Sequence, residues 1–192
     1  TLATDTYGPV SDNAAGIAQM AGMGKKTRER AEALDAIGNT TAAIGKGFAI
    51  GSAALTSLVL YVTFVEVLRA KGITLVLDVT NPMVLVGIFL GGLLPFIFAA
   101  LLMTAVGKTA IKIVNEVRRQ FKSIKGLMQG KAKPDYERCI QISTDGALKE
   151  MIAPGLIAVI VPIVVGVFLG IEALGGLLVG KTVVGFLMAV FM

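Results

Sequence analysis

Asn39, Ala42 and Lys46 follow one another at spacings of three and four residues inside the segment Gly38 to Ser52. In a helix they share one stripe. Asn39 and Lys46 are then roughly 10 Å apart along the axis, at 1.5 Å per residue. An inward-facing amide and ammonium in line can hold an anion or an ion–water cluster. A lysine at a helix end can equally snorkel to the interface. The stripe enters the mouth of a long apolar run, where polar groups are costly and usually mark function. Asp12 is the second candidate, in Tyr7-Gly8-Pro9-Val10-Ser11-Asp12-Asn13. It reads either as a local turn or cap, hydrogen-bonded to nearby backbone, or as a hard oxygen ligand for Mg²⁺. Asp5 poses the same choice. Gly45-Lys46-Gly47 lacks the spacing and the hydroxyl of a phosphate-cradling loop, so phosphate chemistry here would rest on side chains and metals.

The elements that must carry these residues are membrane helices. The 192-residue chain is 55% hydrophobic and only 16% charged, against about a quarter charged in soluble domains. Its mean hydropathy is +0.78. It has 23 glycines and no tryptophan, which suits close helix packing in lipid. Uncharged runs of 19, 29 and 21 residues cover Gly47–Val65, Val79–Gly107 and Met151–Ile171. Each is near or above the roughly 20 residues a membrane helix needs. A fourth run, Ala173 to Met192, is interrupted only by Lys181. The expected fold is all-α, a polytopic transmembrane bundle with about five segments. Helices are predicted near 7–24 (partial), 37–69, 80–122 (a span with a cytoplasmic extension), 136–171 and 173–192 (truncated), all within one membrane domain. Cys139 has no intrachain partner and there is no histidine, which removes His-based acid–base catalysis and makes a zinc site poor.

Charge sets the expected topology. Lys25, Lys26, Arg28 and Arg30 lie in the connection 20–38, and ten basic residues lie in 108–150. The connection between them, Glu66 to Asp78, has only Arg69 and Lys71. The positive-inside rule puts the two basic connections in the cytoplasm. Asp12, Asn39 and Lys46 then share the cytoplasmic side. Apolar residues at Ile111, Val114, Val117 and Phe121 keep helical spacing, so the third span is expected to continue into the cytoplasm. Gly126, Gly130 and Pro134 break it, a second helix resumes near Tyr136, and Pro154 and Pro162 are expected kinks. Arg118 and Arg119 read as a solvated positive flank or as a contact for acidic lipid or anionic substrate. Small residues such as Gly45 with Ser52, and Gly91-Gly92, allow close packing. The chain starts at Thr1 without a signal-peptide pattern and stops in the apolar pair Phe191-Met192. It is therefore expected to be an internal piece of a longer polypeptide.

These residues carry a resemblance. Tyr7-Gly8-Pro9-Val10-Ser11-Asp12-Asn13, the stretch Gly38 to Leu55, Glu116-Val117-Arg118-Arg119-Gln120-Phe121, Lys133-Pro134-Asp135-Tyr136, Ile142-Ser143-Thr144 and Leu148-Lys149-Glu150-Met151-Ile152 resemble the membrane-integral pyrophosphatases across the whole chain. The resemblance implies part of a homodimeric, multi-pass pump of about sixteen helices per subunit, in a prokaryotic cell membrane or an acidic-organelle membrane. Such a pump hydrolyses Mg²⁺-bound pyrophosphate at the cytoplasmic side and moves H⁺ or Na⁺ outward. Its partners are pyrophosphate, the transported ion, membrane lipid, a second subunit and the rest of the same polypeptide, with no nucleic acid. Asp12 matches the family's acid for magnesium pyrophosphate, Asn39 the asparagine at the substrate, and Lys46 the lysine just below it. Ala42 and Gly45 match the positions that govern K⁺ dependence, and Ala42 resembles the K⁺-dependent class. The family's Ala-Gly-Gly-Ile-Ala-Glu is replaced here by Ala14-Ala15-Gly16-Ile17-Ala18-Gln19. Lys181 is less usual, and topology places it towards the outer side, within reach of the interface. The family's remaining catalytic carboxylates and ion gate are not matched, so the fragment alone is expected to be inactive. A non-hydrolytic channel or secondary transporter, with polar residues in discontinuous helices, is the alternative.

Overall fold

The computed structural model describes residues 2–192, with Leu2 described by its backbone alone. The described residues form helices and connections, without strands. The helices are α1 (Leu2–Met20), α2 (Lys25–Ala70), α3 (Pro82–Ser123), α4 (Tyr136–Glu150), α5 (Ile152–Phe168) and α6 (Ile171–Phe191). Four helical stretches among the described residues are long and apolar enough to cross a membrane: α2, α3, α4 continued by α5, and α6. α1 is not one of them; Asp5, Asp12 and its many small residues dilute its hydropathy. Two compact units arise, one of residues up to Thr74 with Phe186–Met192, the other Leu75–Gly185.

In the first unit α1 turns back at residues 21–24, where Gly22 adopts φ 63°. That left-handed conformation is cheap for glycine. α2 then begins at Lys25, not near residue 37 as the sequence predicted. The connection expected over 20–38 is mostly helix because its charges are spaced for it. Lys25–Glu29 and Arg28–Glu32 are i,i+4 pairs at 3.8 and 2.6 Å. Such pairs support a solvated helical extension without any apolar face.

In the second unit Asn81 caps α3, its side chain accepting from the Met83 N–H at 2.9 Å, with Pro82 at the first helical position. α3 continues past its apolar run to Ser123, as the spacing of Ile111, Val114, Val117 and Phe121 predicted. Gly126 and Gly130, with φ of 85° and 67°, turn the chain. Asp135 then caps α4 by accepting from the Arg138 N–H at 2.9 Å. The helix expected over 136–171 is two helices, divided at Met151. Pro154 explains the break: it has no N–H for the Glu150 carbonyl four residues back, and its ring crowds that carbonyl. Pro162 stays inside α5.

α3 and α6 run parallel and interlock through two glycine pairs. Gly87 meets the Ala173 carbonyl, Gly91 the Leu177 carbonyl, Gly176 the Val84 carbonyl and Gly180 the Ile88 carbonyl. Any Cβ at these four positions would collide with backbone, so only glycine allows this approach. Leu94, Val165, Ala173 and Leu177 form the buried core beside the seam. Parallel α3 and α6 require one return crossing between them, which α4 and α5 provide. Lys181 lies ten residues into α6 from Ile171 and is half-buried.

Candidate functional site

The candidate residues lie on the antiparallel α1–α2 pair. Asp5 faces Gly45, Gly8 faces Gly38 and Ala42, and Ser11 faces Gly38. The seam is close because the residues at its centre are small. A Cβ on Gly8 would come within 3.1 Å of both the Ala42 Cβ and the Gly38 carbonyl oxygen. The Ser11 hydroxyl fills the space beside Gly38 and donates to the Gly8 carbonyl at 2.8 Å. Asp12 is the neighbour of Ser11, at the rim of the seam and exposed.

α2 sorts its polar residues into two faces. Gly38 and Gly45 are buried against α1, and Ala42 is half-buried at the edge of that contact. Asn39 and Lys46 are exposed, on the stripe next to Ala42. The helix therefore brings Asn39, Ala42 and Lys46 to one stripe, as their spacing predicted. It does not put Asn39 or Lys46 into the α1 seam. Thr40 and Thr41 bond back to the Ala36 and Ile37 carbonyls at 3.2 and 2.8 Å, so their hydroxyls are satisfied within the helix.

Asp12 forms no hydrogen bond or ion pair with Asn39 or Lys46 among the described residues. The Asn39 amide instead approaches Asp35 at 3.5 Å, the limit of a hydrogen bond. Asp35 was missed in the sequence; its position four residues before Asn39 was the available signal. It extends the stripe to a carboxylate, an amide, a methyl and an ammonium. Asp5 gains a specific place, half-buried against Gly45 on α2.

The donor set suits part of a metal-phosphate site. Asp12 presents an exposed carboxylate with no hydrogen bond among the described residues, a hard oxygen of the kind Mg²⁺ takes. Among the described residues no three His, Cys, Asp or Glu side chains converge on one point that could hold a metal ion. The pair offers isolated oxygen donors rather than a complete coordination sphere.

A separate polar cluster joins α3 to α4. The Glu116 carboxylate is 8% exposed. Arg119 donates to it through Nε at 2.8 Å and Nη2 at 2.6 Å, and Gln120 through Nε2 at 2.9 Å. The amide of Gln120 also pairs with the Asp135 backbone, donating to its carbonyl at 2.9 Å and accepting its N–H at 2.8 Å. Hydrogen bonds from Arg119 and then Gln120 draw the Glu116 carboxyl down to about 2, against some desolvation. The same pairing raises Arg119. Sequence reading left Arg119 as a solvated flank; the structure gives it a bidentate partner, while Arg118 remains exposed without an ion pair among the described residues. The groove beside this cluster, about 360 Å³, is lined by apolar residues such as Leu102, Val106 and Ile113, with Glu150 as its charged member. It is not suited to an anion.

Comparison with known proteins agrees with the sequence motifs. The sequence profile described as inorganic H⁺ pyrophosphatase matches residues 1–192. A Clostridium tetani protein provisionally named a K⁺-stimulated pyrophosphate-energized sodium pump is 54% identical over 93% of this chain and 26% of its own length. A Methanosarcina mazei protein named a K⁺-insensitive pyrophosphate-energized proton pump is 51% identical over 100% of this chain and 28% of its own length. A Thermotoga maritima protein named a K⁺-stimulated pyrophosphate-energized sodium pump is 43% identical over 99% of this chain and 27% of its own length. The chain thus spans between a quarter and a third of these relatives. Overall identity does not separate K⁺-stimulated from K⁺-insensitive relatives.

Proposed function

This chain belongs to the inorganic H⁺ pyrophosphatase family, and from that premise we propose that it supplies one wall of a pyrophosphate site and the start of an ion path. The observation that carries the reading is the exposed Asn39–Lys46 stripe, beside Ala42 and in the part of α2 that packs against α1. The names of the relatives point to pyrophosphate as the energy source and to H⁺ or Na⁺ as the ion moved. Neither those names nor the family match favours the channel or secondary-transporter alternative.

Each residue has a physical task. Pyrophosphate is a compact polyanion, and Mg²⁺, when bound, neutralises part of its charge and orients its oxygens. Asp12 contributes a carboxylate to that metal-bound anion. Asn39 donates its amide to a phosphate oxygen, which requires it to leave its long contact with Asp35. Lys46 stands roughly 10 Å deeper along α2. Its ammonium stabilises negative charge beneath the site or balances a carboxylate on the ion path. Preorganised cations and donors of this kind are often the largest contribution to such a reaction. The substrate side is cytoplasmic by the positive-inside rule. The complete pump is a homodimer in this reading, with membrane lipid around it.

Ala42 and Gly45 bear on the monovalent cation. A lysine at position 42 can replace the charge of K⁺, whereas alanine leaves room for it. This chain is accordingly of the K⁺-stimulated type. The test is Asn39→Ala and Lys46→Met in the full-length pump, assayed for Mg²⁺-dependent hydrolysis. Each is expected to reduce kcat on the order of 10²-fold, the scale of losing one preorganised donor. Near-normal hydrolysis in both variants would sink the assignment. The isolated chain should show no hydrolysis, because the family's remaining catalytic carboxylates are not matched in these residues.

A further inference from the structure

Lys181 lies ten residues into α6 from Ile171, where the helix begins after the turn at Gly170. At 1.5 Å per residue it is roughly 15 Å from that end, about half the thickness of a hydrocarbon layer of about 30 Å. Helical side chains lean towards their N-terminus, but a lysine side chain is too short to reach an interface from that depth. Its backbone N–H abuts Gly91 in the α3–α6 glycine seam, which fixes the depth and rotation of α6. The residue is half-buried, and no described carboxylate pairs with it. The apolar runs Val79–Gly107 and Met151–Ile171 and the rest of α6 beyond Glu172 contain no acidic residue. The unit's acids, from Asp78 to Glu172, all lie at or beyond the ends of these runs. A cation held at mid-membrane without a counter-charge is strongly disfavoured, and such residues pair with one another or line polar cavities.

We propose that Lys181 pairs with a carboxylate at the same mid-membrane depth, carried by a transmembrane helix elsewhere in the same polypeptide. The relatives are three to four times longer than this chain, which covers 26–28% of three of them. Most helices available to face α6 therefore belong to the remaining polypeptide. The glycine seam takes one side of α6, and Lys181 stands at its edge, where another helix can reach it. The pair is a docking contact that selects which helix lies against α6, and it is independent of the pyrophosphate reading.

The test uses the full-length pump in membranes. Lys181→Met leaves the partner acid buried without its cation, so its Tm is expected to fall on the order of 5 °C, while Lys181→Arg stays near wild type. Each mid-span Asp or Glu outside this chain is then changed to Asn or Gln in the Lys181→Met background. One of them should restore the Tm, and that non-additivity identifies the partner. Cysteines placed at Lys181 and at that acid should form a disulfide within one subunit on a non-reducing gel. A Lys181→Met protein as stable as wild type would overturn the proposal. So would failure of every neutralised acid to rescue, or a disulfide that links two subunits.

Discussion

The Asp5 carboxylate occupies the space beside Gly45, with one oxygen 2.5 Å from where a Cβ on that glycine would stand. Position 45 is thus linked by contact to an ionisable group on the facing helix. Gly45→Ala would push the flexible end of Asp5 aside instead of moving backbone. Its stability cost is expected to stay under about 1 kcal/mol. The displaced carboxylate should change the K⁺ concentration for half-maximal hydrolysis in the full-length pump. A K⁺ titration identical to wild type would break the link between this contact and cation activation.

Ala42→Lys in the full-length pump should abolish stimulation by K⁺, because a tethered ammonium takes over the cation's charge. The Ala42 methyl lies at the Gly8 edge of the seam, so the longer side chain can extend along the Asn39–Lys46 stripe instead of into α1. Hydrolysis measured with and without K⁺ decides it. A steep rise with K⁺ in the variant contradicts the prediction.

Gly38→Ala should destabilise the α1–α2 pair, since the Ser11 hydroxyl already fills the space of the new methyl group. Overpacking of this kind costs about 1–3 kcal/mol. Ser11→Gly removes the obstructing side chain, so the double variant should recover much of the loss. Thermal unfolding of the two single variants and the double variant of the full-length protein gives the coupling. Simple additivity would mean that the two residues do not compete for space.

Acid should loosen the α3–α4 connection through Glu116. Its carboxyl is lowered in the folded protein, from the usual 4.5 to about 2. The stabilisation is therefore fully present above pH 4.5 and is lost as pH falls towards about 2. Peptic cleavage between Ile124 and Asp135 should accelerate across that window in the wild type, relative to Glu116→Gln at each pH. A constant ratio of the two rates from pH 4.5 to 2 would exclude Glu116 as the titrating group.

Much of this arrangement was legible in the residue order. Apolar run length decided the four spanning stretches, because lipid leaves backbone polar groups no partner outside a helix. Helical periodicity put Asn39, Ala42 and Lys46 on one stripe, and the motifs named the family. The start of α2 was misplaced because charge was read as a connection, although Lys25–Glu29 and Arg28–Glu32 sustain the helix through water. The break at Met151 was foreseeable in kind from Pro154. Its sharpness followed from the one carbonyl, that of Glu150, which proline leaves unpaired.

Only the tertiary structure decided which face met which neighbour. Gly45 could have packed on any small residue; the antiparallel α1 brought Asp5 to it. Gln120 could have been solvated; the turns at Gly126 and Gly130 returned Asp135 to its amide. Helical periodicity is local and follows from 3.6 residues per turn, so sequence alone determined the stripes. Contacts between helices depend on register and on the close approach that glycines permit, and those emerge only when the chain is folded back on itself.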